Sequence, residues 1–403
     1  MIRAALVAVA LVAAVWGVLH VGWYSHGQIV DYGVYEQYGD QVVHEHAVPY
    51  RDFELEYPPG ALPVFVGPSI VERFDYRTMF QLLMAACLAL AVIGVLLIAG
   101  RGAALLTALA PLALGSVVVS RFDLWPAALT VLALAAALRG RRTLSAVLIG
   151  TAFAAKLWPV LLVPLVAVWI ARSEGGRAAG RWLAVAAGTA AVWFFPFVVL
   201  SPGGVAHSFH TQLARPLQLE SLGAAVLLAS HHVAGTTLHI ASSFGSQNVT
   251  GPGAHAAALA TSVAGLLFLA ALYVAFARGE SDADDLLRYS AAVVAVAIAF
   301  GKVFSPQFLI WLIPLVPLVR GRRGLWSTAL FFAALVLTQL WFPRHYWALA
   351  NDLAPAQSWE LLARDLAVVA LAVVLVWPRR EHQVLGEHRA RIEALERVRT
   401  RVD

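Results

Sequence analysis

The residues best equipped for chemistry crowd into one loop. Between residues 24 and 78 lie Asp31, Glu36, Asp40, Glu45, Asp52, Glu54, Glu56, Glu72 and Asp75, nine of the chain's 24 carboxylates. A solvated loop accounts for Glu36, Asp40, Glu45, Glu72 and Asp75. Asp31 differs. In "DYGVYEQYGDQVV" (31–43) a helical period aligns Asp31, Tyr35, Tyr38 and Val42 on one face, with Glu36 and Asp40 opposite. A carboxylate on the aromatic face loses solvation, its pKa rises, and it becomes suited to general-base work. The competing reading for Asp31 is a helix N-cap. Further on, "ELEYPPG" (54–60) forms a rigid strut: Pro58 holds Tyr57 extended and Pro59 keeps a helix from starting directly. Glu54 and Glu56 are expected on the same side of that strut, which is either a plain structural turn or a device for presenting groups.

Cations are the complement of such a site. Of 29 basic residues only two are lysines, Lys156 in "AAKLWP" and Lys302 in "FGKVFSPQ", each shortly before a proline at the end of an apolar run. They either snorkel to lipid headgroups or hold a phosphate at the membrane surface. Arg121 and Asp123 in "SRFDLWP" fill a very short turn, as a self-satisfied pair or as part of a site. His207, His210, Arg215, Arg344 and His345 decorate other loops, with one or two of them able to contact an anion. No metal site is expected, because "HEH" (44–46) and "HH" (231–232) lack further ligands at suitable spacing. No phosphate-cradling glycine loop and no nucleophile elbow occurs.

The rest of the chain explains where these groups sit. It is 60% hydrophobic and only 13% charged, against about a quarter charged in soluble domains, so it is expected in the bilayer. The basic balance points to membrane orientation and not to nucleic acid. Cys87 lies in an apolar run, as a core thiol. About twelve spanning helices are expected, at 4–23, 79–99, 103–119, 124–138, 143–156, 158–171, 182–200, 255–277, 288–303, 306–319, 325–341 and 361–377. The first is read as an uncleaved span. Alternation puts the arginine clusters at 139–142, 172–181, 278, 320–323 and 379–380 inside. Both termini are then cytoplasmic, and 24–78, 201–254 and 342–360 lie outside. Residues 1–377 form one membrane domain. Residues 221–240 are expected as an interfacial or re-entrant helix, and 378–403 as a cytosolic helical tail. No Asp, Glu, Lys or Arg is expected in the middle of any span.

The order of these motifs resembles a known family. A first span, then "D-Y-x-x-Y", then "PY-x-D-F-x-x-E-YPP" is similar to the bacterial polyprenol-phosphate-mannose-dependent α-(1→2)-mannosyltransferases, glycosyltransferase family 87 of the GT-C superfamily. "SRFDLWPAALTV…GTAFAAKLWP" and "FSPQFLIWLIPL" resemble later blocks of it. The resemblance implies an all-α GT-C-like bundle with a long first outer loop carrying short interfacial helices. It implies a polyprenyl-phosphate-linked sugar donor, a glycolipid or cell-envelope glycan acceptor, the lipid bilayer as setting, and no cofactor. By the same resemblance Asp31 is the base, Lys156, Arg121 and Lys302 hold the donor phosphate, and Tyr35, Asp52, Glu54, Glu56, Tyr57 and Asp123 shape the sugar and acceptor site. The lysine-poor composition resembles that of actinobacterial chains. A transporter or lipid flippase is the rival from another class, but such proteins place ionisable groups near the bilayer midplane. A scaffold or a catalytically dead relative is the third reading.

Overall fold

The computed structural model describes residues 2–71, 73–251 and 253–377. Glu72, the arginines at 379–380 and the whole expected tail lie outside the described residues. Among the described residues, four helices are long and apolar enough to cross a membrane: Tyr76–Ala99, Gly176–Leu200, Ala254–Arg278 and Gly321–Trp341. Shorter apolar helices, among them Leu124–Leu138 and Arg142–Ala155, fill the bundle between them. Leu124–Leu138 is its axis. Twelve of its fifteen residues are buried, so it meets protein on every side, and its many alanines let neighbouring helices come close.

All twelve expected spans fall on helical backbone, but several are broken, and glycine and proline explain the breaks. The 103–119 range divides at Gly115, whose φ of 76° ends Arg101–Leu114. The 306–319 range splits into Pro306–Phe308, Leu309–Leu312 and Val316–Leu318, because Pro306, Pro314 and Pro317 each withhold a backbone donor. The first helix stops at Val18, and a single 3-10 turn, Gly22–Ser25, follows.

Residues 221–240 require a correction. The helix there is only Leu222–Ala234, capped by the Ser221 side chain and closed by Gly235 in the left-handed region. Beyond it runs an antiparallel hairpin, His239–Ser243 with Ser246–Thr250, which an all-helical reading did not anticipate. Phe244 and Gly245 at its tip both have positive φ, the turn geometry that matches strand twist. Leu217 and Leu219 bond the second strand through Val249 and Gln247, which ties the hairpin to the chain before the helix.

The two ends of the bundle differ in kind. At one end the arginine-rich turns join one another: Arg142 pairs with Glu174, Arg172 reaches the carbonyls of Ala277 and Gly279, and Arg320 lies 3.3 Å from Asp284. Arg139 donates to the Leu97 carbonyl. The first loop, the hairpin and residues 342–347 meet at the other end, around the cavity described next.

Candidate active site

Asp31 precedes the helix Tyr32–Val43, yet its side chain makes no capping hydrogen bond. It turns instead into a cavity of about 460 Å³. There its Oδ1 lies 2.5 Å from Arg121 Nη1, an ion pair rather than an aligned hydrogen bond. Its Oδ2 accepts from the Tyr35 hydroxyl at 3.5 Å. Burial pushes the Asp31 carboxyl above its ordinary value, while the Arg121 guanidinium pulls it back down. Tyr35 is fully buried and stacks on Phe65 at 4.6 Å, with Phe122 and Phe80 also against it. The aromatic face inferred from the helical period is therefore present, and it fixes the direction of Asp31.

Arg121 and Asp123 do not pair with each other. Arg121, at the end of Val117–Ser120, serves Asp31, and its Nε has no hydrogen-bond partner among the described residues. Asp123, at the start of Leu124–Leu138, is completely buried. Its Oδ1 accepts from Lys156 Nζ and from Trp311 Nε1, both at 2.6 Å. The Lys156 ammonium sits over Phe122 at 4.6 Å, with Trp311, Phe308 and Tyr57 within 6 Å. Such rings favour a cation in a dry place. Trp311 stacks on Trp158 at 5.3 Å and on Phe308 at 4.2 Å, giving the cavity a flat aromatic wall.

The double proline holds this arrangement together differently from the expected strut. Pro58 is the N-cap and Pro59 the first residue of a 3-10 turn, Pro59–Ala61, that runs straight into the helix Leu62–Ile70. Proline is suited to a first helical position, where its missing N–H is not needed, so Pro59 starts a helix here. Gly60 then packs on the end of Arg142–Ala155, where an added Cβ would lie 2.6 Å from the Ala154 carbonyl carbon. That contact seats the first loop directly beside Lys156.

Glu54 and Glu56 part company. The Glu54 side chain is 89% exposed, with His207 3.7 Å away, and it lies outside the main cavity. Glu56 faces the cavity, accepts from Gln212 at 3.1 Å and lies 3.7 Å from Arg215. Asp52 pairs with Arg51 and accepts from the Val48 amide on the outside of the loop, which holds its carboxyl down at about 2. Lys302 donates to the Leu213 carbonyl at 2.7 Å and lines a separate groove, away from Asp31 and Lys156. Tyr57 lines the cavity, its side chain hydrogen-bonded to Tyr35 and its backbone carbonyl fixed by the Tyr50 hydroxyl at 2.6 Å.

Sequence reasoning missed the far wall. Glu220, Tyr346, Gln212 and Gln218 line the cavity, and behind Glu220 lie Arg364 and Asp365, fully buried and 2.8 Å apart. These two stand in the middle of the helix Pro355–Val376, which corrects the expectation that no span carries mid-helix charge. The signal was an "RD" inside an apolar run. It was obscured because the expected span began at residue 361, which placed the pair at its rim.

Comparison with known proteins agrees with this architecture. Glycosyltransferase family 87 matches residues 55–306, more than half of the chain, and the chain belongs to that family. Among solved structures, the crystal structure of ArnT from Cupriavidus metallidurans bound to undecaprenyl phosphate is similar, with a TM-score of 0.50 and 16% sequence identity. The likeness covers 92% of this chain and 77% of that one, and shows a shared GT-C membrane fold. No curated protein matches the sequence.

Proposed function

We propose that the protein transfers a sugar from a polyprenyl-phosphate carrier to a glycolipid or cell-envelope glycan at the outer membrane face, with inversion at the anomeric carbon. The observation that carries this reading is Asp31, a desolvated carboxylate held against Arg121 in the cavity. Asp31 takes the proton of an acceptor hydroxyl as its oxygen bonds to the anomeric carbon. The bond from that carbon to the phosphate oxygen breaks, and polyprenyl phosphate leaves with the electron pair. The leaving group gains negative charge, so it needs fixed positive charge more than a proton. Arg121, with an unpartnered Nε, and Lys156, with two ammonium hydrogens beyond its bond to Asp123, supply it. ArnT's bound undecaprenyl phosphate supports a lipid carrier by likeness of fold. Mannose is supported by the first-loop motifs, and the outer location by the arginine-rich turns at the opposite end of the bundle. A nucleotide-sugar site with its usual metal is not implied, because the donor is lipid-linked.

The test is transfer of labelled mannose from polyprenyl phosphate in membranes containing the protein. Asp31→Asn is expected to lower kcat by about 10²–10⁴-fold while leaving protein level and donor KM near wild type. Full activity in that variant removes Asp31 from the mechanism.

A further inference from the structure

Resting on the glycosyl-transfer reading, we infer that Glu220 is the acceptor-binding residue of the cavity, and that the acceptor sugar it takes is uncharged and rich in hydroxyls. Two electrostatic neighbourhoods share the cavity. Asp31 feels Arg121, Glu56, Asp123 and Lys156, whereas Glu220 feels Arg364, Tyr346 and Arg215. The first is built for a phosphate.

The second is built for hydroxyls. Glu220 is 3% exposed, and its Oε2 has no hydrogen-bond partner among the described residues although the residue lines the cavity. A buried acceptor left unsatisfied is costly, and a ligand hydroxyl relieves that cost. The same cavity is lined by Gln212, Gln218, Ser242, Ser246 and Gln247, whose amides and hydroxyls can bond a sugar. Arg215 lies 3.7 Å from Glu56 and donates to the Phe244 carbonyl, leaving only its buried Nε without a partner among the described residues. With Glu56 and Glu220 both on this wall, an anionic sugar meets two carboxyl groups against that one shared cation.

The support beneath Glu220 has the form of a positioning device. Arg364 Nη2 donates to the Glu220 backbone carbonyl at 2.6 Å, its guanidinium lies 3.7 Å from the centre of the Phe304 ring, and Asp365 holds its Nε at 2.8 Å. Tyr346 holds the carboxylate itself by a hydrogen bond. A buried arginine–aspartate pair rarely gains stability for a fold. Here its contact with Glu220 fixes the backbone from which that carboxylate reaches the cavity. A site made to bind a hydroxyl discriminates strongly against a ligand that cannot supply one.

The experiment uses purified full-length protein, polyprenyl-phosphate-linked mannose, and octyl mannoside and octyl glucuronide as acceptor probes, with release of mannose to water measured in parallel. The wild type is expected to prefer the neutral mannoside by about tenfold or more. Glu220→Gln is expected to raise the KM for octyl mannoside about tenfold and to narrow that preference, with donor KM and mannose release to water unchanged. An unchanged acceptor KM, or an equal loss in the water reaction, overturns the assignment. Should Glu220→Gln not fold, Tyr346→Phe decides: a raised acceptor KM is expected, and an unchanged one overturns it. A wild type that releases mannose neither to glycoside nor to water overturns the donor reading, and this inference with it; an active wild type indifferent to Glu220 overturns this inference alone.

Discussion

Lys156 and Asp123 form the kind of pair whose members cannot be removed singly. Asp123 has no exposure and Lys156 little, and the ammonium is ringed by aromatic faces. Asp123→Ala leaves a lysine charge uncompensated in a dry place, and about 3–5 kcal/mol of stability is expected to be lost in thermal or denaturant unfolding. Adding Lys156→Met should return most of that stability without returning sugar transfer, because the cation is gone. Recovery of both stability and transfer in the double variant would make the pair purely structural. Glu220 has a separate signature. Burial raises its carboxyl to about 7, well above 4.5, so the folded state holds the proton more tightly than the unfolded one. Its protonated form stabilises fully below about pH 4.5, and that contribution is lost as pH rises through 7, by on the order of 3 kcal/mol. Glu220→Gln should therefore gain stability over wild type between pH 5 and pH 8, and a constant difference across that range would contradict the shift. At this scale helical phase separates Asp31 from its acidic neighbours and leaves an N-cap as the competing reading; the structure shows no cap and a side chain turned into the cavity. The sequence could not speak for Glu220 or Tyr346, which become a site only when segments far apart in sequence converge, nor show that Lys302 turns to a backbone carbonyl.

Gly60 shows how an element makes a site. The 3-10 turn it belongs to touches the end of the helix that delivers Lys156, and Trp125 donates to its carbonyl at 3.1 Å. Gly60→Ala would force backbone against backbone, since the atoms it meets are Ala154 and Ala155 main chain. A loss of transfer of about tenfold or more is expected, as a displacement on the order of 1 Å can cost a hundredfold in rate. Activity equal to wild type would show that the loop tolerates being lifted from Lys156. The bounds of such elements were unevenly legible. Leu124–Leu138 ends where its apolar run ends, at "RGRR". The hairpin at 239–250 was hidden because its alternation is weak and its turn is carried by Phe244-Gly245 in place of the familiar Asn-Gly. Pro58 stays extended, but Pro59, expected to keep a helix from starting directly, stands at the head of the 3-10 turn and opens one.

For the whole molecule, topology is the testable property. The arginine-rich turns share one end and the cavity the other, so opposite faces should meet opposite solvents. Cys87 is buried in Tyr76–Ala99 and gives little background to thiol reagents. His207→Cys should react with an impermeant maleimide in intact cells, whereas Arg141→Cys should react only after permeabilisation. The reverse pattern would turn the proposed orientation inside out. Composition and arginine placement were enough to read a membrane bundle of this class. They could not reveal which helices line the site and which merely border it.

The helices Gly176–Leu200 and Ala254–Arg278 flank the segment that carries Gln212, Arg215, Glu220 and the hairpin, and both leave most of their apolar surface outside the protein. The far wall of the cavity thus hangs from two posts that stand in acyl chains more than in side chains. A bilayer of the wrong thickness tilts such posts at modest cost, and the wall moves with them. In reconstituted vesicles the acceptor KM should pass through a minimum as lipid chain length is varied, with the Asp31–Arg121 side little affected. The surrounding membrane is in that sense the last component of the catalytic architecture, supplying a dimension that no residue of the chain encodes.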